Sequence, residues 1–155
     1  SGSLEALAKI SGPLRIIADT KPDYNLTLFG HPEWQKYTND YLDDFFKLNA
    51  HMYTSFYANN LSADVQWFTN KSYKLYKKSM ILSYPKYAML GFDTGMYFIS
   101  AINQWGSNFE DNLQSIKHTS LQTGFNFQRV NNWGGFINTS LYFVRYNKDH
   151  TITRF

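Results

Sequence analysis

The spacing of apolar residues changes once along this chain, and that change restricts the possible folds more than any other feature. Up to about residue 108, segments with apolar spacings of three and four alternate with short apolar runs. Those are the patterns of a buried helix face and a buried strand. Beyond that point the spacing is two. Residues 4–18 place Leu7, Ile10, Leu14 and Ile17 on one helical face, and Gly12-Pro13 predicts a break or kink within it. Lys21-Pro22-Asp23 reads as a turn and Leu26-Thr27-Leu28-Phe29 as a short buried strand ended by Gly30. Pro32-Glu33-Trp34 suits a helix start, continued by Tyr37, Tyr41, Leu42, Phe45 and Leu48. A second strand is expected over 51–57, stopping at Ala58-Asn59-Asn60.

Ser62 has the character of an N-cap, with Val65, Phe68, Ser72, Leu75 and Met80 marking the helix that follows. Tyr84-Pro85 is a boundary. The apolar segment 89–105 then puts Phe92, Met96, Ile99 and Ile102 on one face, with Gly106 ending it and Asp93 expected to cap a helix over 95–105. The order helix, strand, helix, strand, helix, helix predicts an α/β protein with a mostly parallel sheet flanked by helices. Residues 122–130 and 138–146 alternate in period two around Asn131-Asn132-Trp133-Gly134-Gly135, and 151–154 reads as a last strand. This tail predicts a C-terminal antiparallel hairpin.

The 155 residues are enough for a buried core. With 43% apolar and 17% charged residues the chain is outside the disordered class. Aromatic residues, at 19%, serve first as core and strand positions and also suit sugar stacking. The net charge of +3 is mild. Its one basic cluster is Lys71, Lys74, Lys77 and Lys78, of which 71, 74 and 78 share a helix face that reads as solvated. Nothing matches a nucleic-acid module.

The absence of cysteine excludes a thiol nucleophile, a cysteine zinc site and disulfides. No apolar run approaches the length of a membrane-spanning helix. The ending in Phe155 after an aromatic strand resembles outer-membrane barrels, but only about four strands are legible where at least eight are required. The carboxylates of Asp43-Asp44 and Glu110-Asp111, adjacent in sequence, point about 100° apart on a helix and do not converge. The four histidines, His31, His51, His118 and His150, lack metal-ligand spacing. Gly134-Gly135 lacks the context of a phosphate loop, and no nucleophile elbow occurs. Glu33 near His31 could form an acid/base pair, but a helix cap explains Glu33 equally well. A carbohydrate-active enzyme and an envelope scaffold stand as alternatives to binding, and no catalytic residue, metal site or cofactor is nominated. Trp34, Tyr57, Trp67 and Trp133 could offer rings to sugars, with Asn59, Asn60, Asn131 and Asn132 as polar anchors.

Several motifs, in order, resemble the type I periplasmic binding proteins of the branched-chain amino-acid-binding group. They are Leu28-Phe29-Gly30-His31-Pro32-Glu33-Trp34, the strand Met52-Tyr53-Thr54-Ser55-Phe56-Tyr57, the segment from Val65 to Tyr84-Pro85-Lys86-Tyr87, Leu90-Gly91-Phe92-Asp93-Thr94-Gly95-Met96-Tyr97, and the hairpin over 124–146. The likeness extends to a LysM-associated subgroup of Bacteroidetes. It implies the C-terminal portion of a two-lobed, hinged, non-enzymatic protein of the periplasm or cell envelope. About 1–60 would form one lobe, about 61–120 the other, and 121–155 the closing antiparallel strands. The ligand would be a small molecule, amino-acid-like or muropeptide-like. Glu33 matches the position that holds a ligand ammonium group in that family, so the resemblance implies a site of Glu33, His31 and Trp34 with Tyr57, Asn59 and Asn60. His31 and Trp34 depart from the family pattern. A chain of this kind is expected to be completed by an N-terminal half or by homo-oligomerisation.

Overall fold

The computed structural model describes all residues, 1–155, and the chain divides into two compact units. Unit 1 comprises Ser1–Thr54 and Tyr142–Phe155, and unit 2 comprises Ser55–Leu141. The architecture is mixed α/β, with four α-helices, a four-stranded mixed sheet and a separate two-stranded antiparallel sheet. No helix is long and apolar enough to cross a membrane.

Unit 1 opens with helix α1 (Leu4–Thr20), capped by the Ser3 side chain, which accepts from Ala6 N–H. Of the break or kink expected at Gly12-Pro13, the break is absent: α1 runs through Pro13 as one helix. Strand β1 (Phe29–Gly30) leads through a 3-10 segment (Pro32–Tyr37) into α2 (Thr38–Lys47) and then β2 (His51–Thr54), which lies parallel to β1. Asn49 makes the reversal between α2 and β2 possible. It takes a left-handed conformation (φ 46°), which asparagine tolerates well, and its side chain donates to Thr27 Oγ1 and accepts from Arg145 Nε.

Strands β5 (Tyr142–Tyr146) and β6 (Ile152–Arg154) complete the sheet in the order β1-β2-β5-β6. Only β1–β2 is parallel, whereas β2–β5 and β5–β6 are antiparallel. The mostly parallel sheet expected from the sequence is thus corrected to a mixed one. The core of unit 1 gathers Leu7, Phe45, Leu48, Met52, Val144 and Tyr146, all nearly inaccessible to solvent. The Tyr146 ring lies 5.3 Å from Phe45 and 5.9 Å from Phe46.

Unit 2 contains α3 (Ala63–Tyr76), α4 (Tyr87–Trp105), a 3-10 segment (Gly106–Ser115) and the hairpin of β3 (Phe127–Arg129) and β4 (Phe136–Asn138). The expected cap of α3 is present, since Ser62 Oγ accepts from Val65 N–H. Asp93 does not cap a helix. It lies inside α4, fully buried, and its carboxylate accepts the backbone N–H groups of Leu121, Gln122 and Thr123 at 2.8–2.9 Å. With Gln122 and Thr123 held by this anchor, the strand expected over 122–130 is reduced to β3, and Thr123 makes only an isolated bridge with Phe56.

The strand expected over 138–146 is split in the same way. Asn138 Oδ1 accepts from the N–H groups of Asn126 and Ser140 and closes β4, while β5 belongs to unit 1. The closing strands over 121–155 are therefore divided between the two units. Val65, Met89 and Leu121 form one apolar cluster of unit 2, with Phe68, Met80 and Phe92 against it. A second is aromatic: Tyr97 stacks on Phe125 at 4.3 Å and lies 5.5 Å from Phe127.

Candidate functional site

The six residues singled out from the sequence fall in different units: His31, Glu33 and Trp34 in unit 1, and Tyr57, Asn59 and Asn60 in unit 2. In unit 1 the turn after β1 is occupied by the protein itself. His31 is the N-cap of the 3-10 segment, its Nδ1 accepting from Glu33 N–H at 3.3 Å. Glu33 forms an ion pair with Lys36 at 2.9 Å. The Lys36 hydrogen bond holds the Glu33 carboxyl below its usual range, and the same bond raises Lys36.

Trp34 is buried, and its indole N–H donates to the Ser1 carbonyl at 3.0 Å. A methyl group added at Gly2 would lie 2.8 Å from His31 Nδ1 and 2.9 Å from Glu33 Cδ, so the N-terminal residues are pressed against this turn. The Trp34 ring is therefore a core element rather than a stacking face, and Glu33 already has a cation.

In unit 2, Tyr57 is buried and its N–H donates to Gln122 O. Asn59 shapes the turn into α3. Its Oδ1 accepts from Leu61 N–H, and its carbonyl accepts from Ser62 N–H and Oγ. Asn60 has a different setting. It lies at the rim of a groove of about 510 Å³ between α3 and the segment leading into α4. One wall presents Gln66, Thr69, Asn70 and Tyr73 from α3, and the other presents Met80, Ile81, Leu82 and Lys86, with Val65 also lining it. Ile81 and Leu82 are 84% and 68% exposed, so the apolar wall is open to solvent.

Lys86 is the cation of this groove. Its backbone is clamped by the buried Gln122 side chain, which accepts from Lys86 N–H at 3.3 Å and donates to Lys86 O at 2.8 Å. Gln122 is in turn held by Asp93. The Lys86 ammonium donates to Asn60 Oδ1 at 2.8 Å and has no carboxylate partner. Burial lowers its pKa from the usual lysine value. In unit 1 a hollow of about 470 Å³ is lined by Tyr24, Asp43, Phe46, Lys47, Lys148 and His150 among others, and there Lys47 is paired with Asp19.

Of the groove residues with polar side chains, the sequence nominates only Asn60 for a site. Lys86 stands beside Pro85 in a segment that reads as a boundary, and only the fold brings it against Asn60, 26 positions away. No family model, curated protein or solved structure matches the chain.

Proposed function

We propose that this chain is a non-enzymatic small-ligand-binding protein of the cell envelope, related in plan to the type I periplasmic binding proteins. Its ligand would be an amino-acid-like or cell-wall-derived solute. The observation that carries this reading is the groove of unit 2. Its volume falls in the range of small-molecule sites, about 300–1,000 Å³, and it combines an apolar wall with a few amide groups and one fixed ammonium group.

The connectivity adds support. Unit 2 is an insertion between Thr54 and Tyr142, which are register partners at the ends of β2 and β5. Both connections therefore leave unit 1 from neighbouring strand ends, as a hinge requires. The parallel β1–α2–β2 unit is in keeping with the resemblance, and so are the antiparallel strands β5 and β6 within 121–155. The envelope location rests on the resemblance alone.

Isothermal titration with a panel of amino acids and muropeptides tests the reading. Saturable heat from one class, abolished by filling the groove with Thr69→Trp, is the expected result. Absence of saturable heat across the panel would remove the proposal.

A second reading, an envelope scaffold that associates through its surface, is favoured by the outer face of α4. There Ile99 and Ile102 are 63% and 55% exposed, about one and two turns beyond the exposed Gly95, a face of the kind that marks interaction sites. Light scattering after size exclusion tests it. A dimer returned to a monomer by Ile99→Asp would favour the scaffold, and an 18.1 kDa particle at all concentrations would set it aside.

A further inference from the structure

Lysine is the wrong charge for the place Lys86 occupies. It is the N-cap of the 19-residue helix α4, and the first turn of that helix holds no acidic residue. A helix N-terminus carries partial positive charge and favours anions, so Lys86 adds a cation where the backbone already calls for negative charge. The surroundings do not compensate. Between residues 55 and 92 the chain has five lysines (Lys71, Lys74, Lys77, Lys78 and Lys86) and one carboxylate, Asp64. The next carboxylate along, Asp93, has its oxygens turned to three backbone N–H groups.

Lys86 is nevertheless held in place, because the Gln122 clamp fixes its backbone and Asn60 takes one of its three ammonium protons. Two protons remain for a ligand. A half-buried ammonium without a counter-ion is costly, and the lowered pKa of Lys86 agrees with that cost. Beside it lies the open apolar wall of Met80, Ile81 and Leu82.

We infer that this groove binds an amphipathic monocarboxylate, with its carboxylate on Lys86 and the Asn60 amide and its apolar chain along Met80, Ile81 and Leu82. The inference rests on the reading of the groove as a small-ligand site and specifies the class of ligand. A single ammonium with one proton already engaged matches one carboxylate, in contrast to the several donors that converge on a phosphate. Both a fatty acid and an N-acylated amino acid have this chemistry.

The test uses the full chain and three eight-carbon probes that differ only in the head group: octanoate, octanol and octylamine. Binding is followed by isothermal titration and by the side-chain amide signals of Asn60 and Asn70. Octanoate is expected to bind saturably, at least tenfold more tightly than octanol, with octylamine not binding. Lys86→Gln is expected to weaken octanoate at least tenfold, Lys86→Arg to retain most of the affinity, and Lys71→Gln, which removes a charge from α3 outside the groove, to stay within twofold. N-octanoylglycine, compared with octanoate, distinguishes the two ligand sources by which binds more tightly, and tight binding of either, with octanol at least tenfold weaker, supports the inference. Equal binding of octanoate and octanol in the groove would overturn the carboxylate assignment while leaving the small-ligand reading intact. Failure of all four probes to bind, with muropeptides still binding, would overturn it as well. Failure of every probe and every member of the panel would overturn both.

Discussion

In unit 2 the Asp93 carboxylate and the His118 Nε2 are both buried polar atoms, the first fully partnered and the second not. The Asp93 carboxylate accepts three consecutive backbone N–H groups from a segment 28–30 positions further along the chain. An amide in its place offers one acceptor instead of two and turns an N–H₂ toward a donor. Asp93→Asn should cost on the order of 3 kcal/mol, measured from urea unfolding, and an unchanged midpoint would contradict the anchor role. The loss should also loosen Gln122 and with it Lys86. His118 lies 6.2 Å from the rings of both Tyr97 and Phe125, and its Nε2 is buried without a hydrogen-bond partner. Burial lowers its pKa below the usual 6.5, against an opposing pull from Asp93. The fold therefore favours the neutral ring, while the unfolded chain takes up a proton near 6.5. Stability should fall as pH drops through that value toward the lower folded pKa, and should not depend on this group above it. His118→Phe should flatten the dependence of the thermal midpoint between pH 7 and 5, and an identical profile would exclude His118 as its source.

At the scale of elements, the helices were the most legible part of the sequence, because their signals are local. Ser62 with its apolar repeat marks α3, and Gly106 ends α4. Strand partners were less legible. The alternation over 122–146 suggested one hairpin, but Asp93 and Asn138 interrupt it through hydrogen bonds spanning 28–30 and 12–14 positions, and no local pattern announces bonds of that range. At α1 the local signal of Gly12-Pro13 does not end the helix, which continues through Pro13 to Thr20. Gly91 and Gly95 lie on the exposed face of α4, and a methyl group at either meets no atom within 4 Å. Neither glycine is needed for a close approach, so each change to alanine should stabilise the protein by about 0.5–1 kcal/mol. Thermal unfolding measures this, and a destabilised variant would mean that α4 is covered.

At the scale of the whole molecule, a mixed α/β character was legible in the order of the periods, and the discontinuous division into two units was not. Strands β5 and β6 return to the first unit after a long insertion, a pairing that no local pattern announces. The candidate site was legible in part. Asn60 was singled out, but with it came a turn at His31-Pro32-Glu33 whose charges and capping groups are already satisfied within the protein. A lone lysine beside a proline carries no pattern, so the cation of the groove became visible only once Asn60 and Gln122 were placed against it. The central claim is that a small ligand binds in this groove of unit 2. The most direct test is a ¹H–¹⁵N spectrum of the uniformly labelled chain titrated with the tightest-binding solute. Saturable shifts centred on the side-chain amides of Asn60, Gln66 and Asn70 are the predicted result. Shifts centred on residues 31–36 with the groove silent would contradict the account and return the site to Glu33.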